Sequence, residues 1–303
     1  MGGTRYPVGT MTFFAALVVD GALAGAVYAL IALSFVVVYR ASGMINFAVG
    51  DCVMLGARLV AFGVYGLGLG VAGGLVAGCA GMIAAMLAFN QAVLRRMTTR
   101  PVISLIMVTL GLATLIRGAA SLALAGVPAG LVVRSPEPIV LAGVSIAVEK
   151  VLAATVAAVC IALVSWTLQR SRAGVAMRAI ADDQQSAMGV GIDLHRYFGL
   201  TWALMGAISA VAGTLWVIVG GGGFGVALVG LKIFPIVIIG GLDSMGGAIV
   251  GAMLVGVLES LAAGYLDPLV GGGFSNVASY LVLLVVLFVR PYGLFGRADA
   301  RRV

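Results

Sequence analysis

Long stretches without a charged residue constrain this chain more than any other feature. The longest occupy residues 21–39, 59–94, 151–169, 197–231 and 268–289. A helix that spans a bilayer needs about 20 mostly apolar residues. The chain is 62% hydrophobic and only 10% charged, whereas about 25% of the residues of soluble domains are charged. The pattern predicts an all-α fold, a polytopic transmembrane helical bundle in which all 303 residues form one membrane domain.

The apolar segments predict about nine spans, within a range of about eight to ten. We place them at 12–38, 43–63, 68–94, 102–125, 145–168, 197–219, 226–242, 246–265 and 276–290. Loops rich in arginine face the cytoplasm, which predicts a cytoplasmic C-terminus after Arg290. Counting back from Arg95 puts the N-terminus outside, whereas Arg5 favours the inside, so the side of the N-terminus stays open.

Glycine makes up 45 of the 303 residues and recurs at four-residue spacing within the apolar segments. The repeats are Gly66, Gly70, Gly74 and Gly78, with the pairs Gly21/Gly25 and Gly247/Gly251. Membrane helices associate where small residues allow their backbones to approach closely. The spacing therefore predicts tight helix packing at these positions.

The segment 169–196 is the one long polar stretch of the chain. It holds four arginines, three aspartates and the only histidine, His195. Charges of this number cannot cross hydrocarbon, so the segment is predicted to lie in water on the cytoplasmic side. Residues 174–191 predict a short surface helix that ends near Gly189 or Gly191. We interpret the segment as a contact for a soluble partner, and a solvated loop without a partner is the alternative.

Motifs of enzymes and of nucleic-acid-binding proteins are missing from the sequence. Neither Lys150 nor Lys232 completes the phosphate-binding GxxxxGK[ST] motif, so the chain is not expected to hydrolyse ATP or to be an enzyme. The three cysteines, Cys52, Cys79 and Cys160, lie far apart and do not form a metal-binding pattern, so neither a metal nor a bound cofactor is expected. The arginines lie in loops rather than on one basic face, which argues against nucleic acid.

Five ionisable residues fall in or near apolar segments, namely Asp20, Asp51, Arg58, Arg117 and Glu259. Intramembrane charges are candidates for functional sites. For Arg117, snorkelling to the outer interface is the favoured interpretation. Asp51 and Arg58 share a helix face, and no mid-membrane partner is evident for Asp51 or Glu259. We expect Glu259 to face the bundle interior or the outer interface and to serve structure.

The polar, glycine-containing run from Ser42 to Asp51 separates two apolar segments. It predicts a broken helix whose freed backbone groups line a water-filled path. Ser42, Asn46 and Asp51 are therefore the candidate residues of a translocation path. A plain turn between two helices is the alternative.

Four sequence segments carry a resemblance to a known family. GMINFAVGD, after GALAGAVYALIALSFVVVY, is similar to the start of the permeases of branched-chain amino acid ABC transporters, where GxINFAHGE is typical. GVAMRAIADDQQSAMGVGID resembles the family's ATPase-docking loop, GGLDSMGGAIVGAMLVGVLESL its late glycine-rich spans, and RPYGLFG its ending. Val49 and Asp51 replace the usual histidine and glutamate, and Asp182-Asp183 stands where Glu-Asp is frequent.

The resemblance implies a permease subunit of a bacterial ABC importer in the inner membrane, carrying branched-chain or related amino acids. Its partners would be a second homologous permease subunit, two cytoplasmic ATPase subunits that use ATP, and a periplasmic solute-binding protein. The docking-loop candidates are Gly174, Arg178, Ala179, Asp182, Asp183, Gly189, Gly191 and Asp193. A permease for urea or short-chain amides is one alternative, and an ion-coupled carrier or channel acting alone is a second.

Within that loop, Ala176, Ala179, Ile180 and Ala187 recur at helical spacing. This spacing predicts a narrow stripe of small apolar residues that seats in a groove of an ATPase. The charged residues Arg178, Asp182 and Asp183 are then expected to flank the contact and to set its orientation.

Overall fold

The computed structural model describes residues 10–97, 102–128, 131, 138–141, 144–221 and 225–296. Twelve α-helices and one short hairpin occur in these ranges. The helices are α1 (Thr10–Ser42), α2 (Val49–Ala61), α3 (Gly70–Ala92), α4 (Val102–Ala123), α5 (Val148–Arg170), α6 (Arg172–Asp182), α7 (Gln184–Gly189), α8 (Leu194–Gly220), α9 (Gly225–Gly240), α10 (Met245–Tyr265), α11 (Asp267–Val270) and α12 (Phe274–Val289). A π-helical turn, Phe62–Gly66, extends α2, and a 3₁₀ turn, Leu94–Arg96, follows α3.

The helical bundle agrees with the predicted spans. Each predicted span coincides with one helix, and among the described residues seven helices are long and apolar enough to cross a membrane. The helices α9 and α12 are also apolar but shorter, with 16 residues each. The fifth span begins at Val148 rather than near residue 145, because strands β1 (Ile139–Leu141) and β2 (Val144–Ile146) form an antiparallel hairpin before it.

The first helix lies at the centre of the bundle. Every residue of α1 from Val27 to Val38 is buried, and the helix packs against α10, α8 and α5. The approach to α10 is close, since a Cβ atom added at Gly21 would lie 2.6 Å from the carbonyl oxygen of Gly256. A Cβ at Gly251 would lie 2.5 Å from the oxygen of Ile236 in α9. The predicted glycine packing is therefore confirmed at these positions, but it is wrong for Gly70, where an added Cβ would meet nothing within 4 Å.

The predicted break after the first span is also confirmed. The helix α1 ends at Ser42, Gly43 has a φ of +66°, and α2 begins at Val49. The Phe47 ring lies 4.8 Å from that of Phe234, which lies 5.6 Å from that of Phe35 in α1. Since Phe35 precedes the end of α1 by two turns, the chain folds back into the bundle after Ser42 and does not turn at its surface.

Candidate functional site

A wide cleft opens at the end of the bundle where α1, α5 and α9 end. Its volume is about 1620 Å³. Its walls come from the end of α1, from α6, from the turn between α9 and α10, and from the segment after α12. The cleft therefore lies between the end of α1, which precedes the break, and three segments that carry the family resemblance. We call it the arginine-end cleft, because Arg40 and Arg178 line it.

The segment after α12 forms one wall of this cleft by bonding to the end of α9. The backbone nitrogens of Leu294 and Phe295 donate to the carbonyl oxygens of Ile239 and Gly240, at 2.8 and 3.1 Å. Gly293 has a φ of +77°, and a Cβ there would lie 2.4 Å from the oxygen of Ile238. Gly293, the first glycine of RPYGLFG, is therefore required by its backbone conformation and by the close approach of its backbone to α9.

The polar segment forms two helices, so the prediction of a single helix over 174–191 is wrong. The helix α6 ends at Asp182, and Asp183 is extended, with φ −155° and ψ 110°. The Asp183 carboxylate accepts hydrogen bonds from the backbone nitrogen and hydroxyl of Ser186, at 3.3 and 2.6 Å. This local bonding competes with the helix and starts α7, a break that helix propensity alone does not indicate.

The end of the segment agrees with the predicted stop. The helix α7 ends at Gly189, and Gly191 has a φ of +85°, which favours glycine. Asp193 then caps α8, since its Oδ1 accepts from the backbone nitrogens of His195 and Arg196 at 3.0 and 3.2 Å. Gly189, Gly191 and Asp193 therefore shape the chain at this point.

The small apolar stripe faces this chain and not a partner, which corrects a second prediction. Ala176, Ile180 and Ala187 are 7%, 1% and 3% exposed, and Ala179 is partly buried. An amphipathic helix beside a bundle buries its apolar stripe on that bundle when it can. The large exposed apolar residues of α6, α7 and the turn after them are instead Val175, Met188 and Val190, at 54%, 50% and 78%.

Arg178 anchors α6 to α5, and its predicted place beside a partner contact stays a prediction. Its guanidinium donates to the carbonyl oxygen of Leu168 and, at 3.3 Å, to that of Gln169. These carbonyls belong to the last turn of α5, where helix carbonyls lack helical partners. Gly174 touches the same turn, since a Cβ there would lie 2.0 Å from the Leu168 oxygen. By contrast, Asp182 and Asp183 are exposed.

Inside the bundle, Asp51 and Arg117 form an ion pair that sequence reasoning did not anticipate. The Nε and Nη2 atoms of Arg117 donate to Oδ1 and Oδ2 of Asp51, at 2.5 and 3.2 Å. The Asp51 side chain is 2% exposed and that of Arg117 is 53% exposed. Asp51 therefore has a partner, and Arg117 bonds towards α2, contrary to the snorkelling interpretation. Arg58 donates to the carbonyl oxygen of Ala120 in α4, at 3.4 Å.

Glu259 faces the interior, as predicted, but it also has a charged partner. Its Oε2 accepts from the hydroxyl of Tyr28 at 2.8 Å and from Nζ of Lys232 at 3.1 Å. Its Oε1 is buried and has no hydrogen-bond partner among the described residues. A further pair joins Lys150 to Asp20 at 2.6 Å. Lys232 and Lys150 lie close to their carboxylates in space but far from them along the chain, so sequence spacing could not reveal these pairs.

The three candidates for a translocation path do not lie together in the arginine-end cleft, as far as the described residues form it. Ser42 lines the arginine-end cleft, and its hydroxyl donates to the Val38 oxygen at 2.7 Å. Asn46 is 0% exposed; its Oδ1 accepts from the backbone nitrogen of Ala48 at 3.0 Å, and its Nδ2 has no partner among the described residues. Asp51 is held by Arg117. Their role in a path stays a prediction.

Comparison with known proteins identifies the family. The sequence profile of the family described as branched-chain amino acid transport system / permease component matches residues 17–290. This chain belongs to that family. It is 30% identical to the high-affinity branched-chain amino acid transport system permease proteins LivH of Salmonella typhimurium and of Escherichia coli, over 96% of this chain and 98% of each relative. No solved structure is significantly similar to it.

A further relative shows the same similarity. The permease protein BraD of Pseudomonas aeruginosa, from a high-affinity branched-chain amino acid transport system, is 30% identical over 94% of this chain and 96% of its own length. The matched range 17–290 contains, almost completely, the seven described helices that are long enough to span a membrane and the shorter apolar helices α9 and α12. The chain is therefore a multi-pass membrane protein of a permease family.

Proposed function

We propose that this chain is the membrane-spanning permease subunit of a bacterial ABC importer that carries branched-chain or related amino acids across the inner membrane. The observation that carries the proposal is the arginine-end cleft, where α6 and the start of α7 border an opening beside the end of α1. Family membership over nearly the whole chain supports the same function. The chain itself binds no cofactor, and ATP is used by partner subunits.

The partners of this proposal are a second homologous permease subunit, two cytoplasmic ATPase subunits and a periplasmic solute-binding protein. The exposed residues Val175, Met188 and Val190 would contact an ATPase, with Asp182 and Asp183 beside them. Because α6 bonds to the last turn of α5 through Arg178, a movement of this docking surface would be passed directly to a spanning helix. The arginines of this end support an orientation in which this end and the C-terminus lie in the cytoplasm.

An importer of urea or short-chain amides is an alternative within the same mechanism, since the chain does not fix the solute. An ion-coupled carrier acting alone is favoured by a different observation. Such a carrier needs ionisable groups within the membrane, and the Asp51–Arg117 and Glu259–Lys232 pairs supply them. Dependence on ATP separates these two mechanisms.

Co-purification and transport together test the proposal. The permease is expressed with the ATPase, permease and binding-protein genes that neighbour its own, and a tag on this chain alone is used for purification in detergent. The expected result is a complex that contains ATPase and that takes up radiolabelled L-leucine into vesicles only with ATP and binding protein. Uptake by the lone chain, driven by an ion gradient without ATP, would contradict it.

A further inference from the structure

The exposed face of α4 changes character along the helix. In the half that follows Val102, it presents Ile103 and Met107, at 70% and 60% exposure. In the half distant from the arginine-rich turn Leu94–Arg96, four small or hydroxylic residues form an exposed strip beside Leu115 and Leu122, which are 66% and 85% exposed. This strip consists of Gly111, Thr114, Gly118 and Ser121, which recur at offsets of three and four residues on one face.

The strip leaves open space beside the helix. A Cβ atom added at Gly111 or Gly118 would meet nothing within 4 Å. The hydroxyls bond back to their own helix, with Thr114 donating to the Gly111 oxygen at 2.9 Å and Ser121 to the Gly118 oxygen at 2.8 Å. Helical spacing places Leu115 and Leu122 along one side of the strip and Arg117 along the other.

The exposed face of α5 has no charged side chain between Leu152 and Thr167. Its large exposed residues are Leu152, Val156, Val159, Leu163 and Trp166, each at least 41% exposed, with the smaller Thr155, Ala158 and Ala162 among them. A face of this kind suits lipid chains. The exposed face of α4 differs in having a half-exposed guanidinium, that of Arg117, at the edge of the strip.

The guanidinium of Arg117 is fixed but not saturated. An arginine carries five N–H groups in a planar fork, and Asp51 accepts two of them, from Nε and Nη2. The other three, on Nη1 and Nη2, have no partner among the described residues. The bidentate pair holds the fork in one orientation, with Asp51 buried behind it and the remaining donors on the exposed side.

A charge that is exposed at membrane depth faces a bundle interior or a water-filled cavity, because its transfer into hydrocarbon is costly. The ligand that completes a guanidinium fork is a carboxylate or a phosphate. A lipid phosphate would reach Arg117 only at the interface, by an arginine that extends outward, whereas this arginine is turned towards α2. The small strip beside it has the room that a solute carboxylate needs.

We propose that Arg117, held in place by Asp51, lines the translocation path beside the strip Gly111–Thr114–Gly118–Ser121 and binds the carboxylate of the transported amino acid. This inference rests on the proposed function, since it requires that a solute passes along this face. Asp51 is then a positioning residue. In the assembly, the second permease subunit would close the open side of the path, opposite the strip.

The first test measures uptake of radiolabelled L-leucine by the complete transporter in vesicles, with Arg117→Gln, Arg117→Lys and, as a control on the α5 face, Leu163→Gln. R117Q is expected to lower uptake at least tenfold at a subsaturating concentration, equal to about 1.4 kcal/mol. R117K should retain part of the uptake and L163Q most of it. ATPase co-purification should be retained in all three, which separates loss of uptake from loss of assembly.

The second test probes the strip directly. Gly118→Cys, Ser121→Cys and the control Val159→Cys are made in a chain in which Cys52, Cys79 and Cys160 are alanine. A positively charged, water-soluble thiol reagent should modify the first two and not the control, and L-leucine under transport conditions should slow the modification of Gly118→Cys.

Unchanged uptake by R117Q would overturn the inference, and so would modification of all three cysteines only by a lipid-soluble maleimide, the result expected if Arg117 meets lipid headgroups. These outcomes differ from failure of the proposed function. In that case the unsubstituted complex would not show ATP-dependent uptake, whatever the behaviour of the variants.

Discussion

Replacing Lys232 by methionine is expected to destabilise the bundle strongly, because it leaves Glu259 without its only charged partner among the described residues. The Lys232 Nζ lies 3.1 Å from Glu259 Oε2, and the two side chains are 23% and 11% exposed. Glu259 keeps only the Tyr28 hydroxyl, at 2.8 Å, and its Oε1 already has no partner among the described residues. Removing one member of a buried pair costs about 3–5 kcal/mol.

This cost can be converted to a melting temperature. In chains of about 150–250 residues, 1 kcal/mol shifts the midpoint by about 2–4 °C. With about 2 °C taken for this longer chain, Lys232→Met should lower the midpoint by about 6–10 °C. Glu259→Gln should cost less, since Lys232 is the more exposed partner and can reach water. The double substitution should recover much of the loss, because neither charge then remains buried.

A dye that fluoresces on reaction with thiols measures these midpoints in detergent. Cys52 is 0% exposed and becomes reactive only when the bundle opens. Lys232→Arg, which keeps the charge, is the matched control and should melt near the unsubstituted protein. The reasoning is refuted if Lys232→Met lowers the midpoint by less than about 2 °C, or if the double variant shows the sum of the two single losses. Glu259→Gln should also retain transport, because the pair is assigned a structural role.

Three further predictions concern other parts of the chain. Val175→Asp, on the exposed face of α6, should abolish ATPase co-purification although the permease inserts normally in the membrane. The control Val76→Asp, at an exposed position of α3, should impair insertion without a selective loss of the ATPase. ATPase recovery with Val175→Asp equal to that of the unsubstituted protein would remove α6 from the docking surface. Asn46 is 0% exposed, so a cysteine in its place (Asn46→Cys) should resist a water-soluble thiol reagent when the transporter is at rest. Reaction that appears only during ATP turnover would place residue 46 in the translocation path, whereas reaction at rest would contradict its burial. Ser275→Ala removes the hydroxyl that donates to Asp267 at 2.8 Å. Hydrogen bonds from Ser275 hold the pKa of Asp267 below its ordinary value of 3.8. The stabilisation that they give is therefore present above pH 3.8 and is lost as the pH falls through the lowered pKa. The thermal midpoint of Ser275→Ala should therefore fall at neutral pH and converge with that of the unsubstituted protein in acid, and an equal difference at both pH values would refute the assignment.

The spanning helices could be predicted from the sequence because their signal is local. Each is an apolar segment of about the required length, bounded by charges, glycine or proline. The break after Ser42 was predictable for the same reason. The hairpin at residues 139–146 was missed, because its short strands are apolar and continue into α5 without a polar boundary.

The candidate site was less predictable, because its contacts join residues that are far apart along the chain. Asp51 meets Arg117, 66 residues away, and Lys232 meets Glu259, 27 residues away. Helical spacing revealed the stripe of Ala176 and Ile180 but not which surface it packs on. The bundle itself offered that surface, so the stripe is buried and the residues on the opposite side are exposed.

ATP-dependent uptake of radiolabelled L-leucine by the purified, reconstituted complex tests the central claim most directly. The permease with its co-purified ATPases is placed in vesicles, with binding protein on one side and ATP on the other. We predict uptake that requires both, that stops when ATP is replaced by a nonhydrolysable analogue, and that does not respond to an imposed ion gradient. Uptake by the permease alone, or uptake driven by a proton or sodium gradient without ATP, would contradict the account.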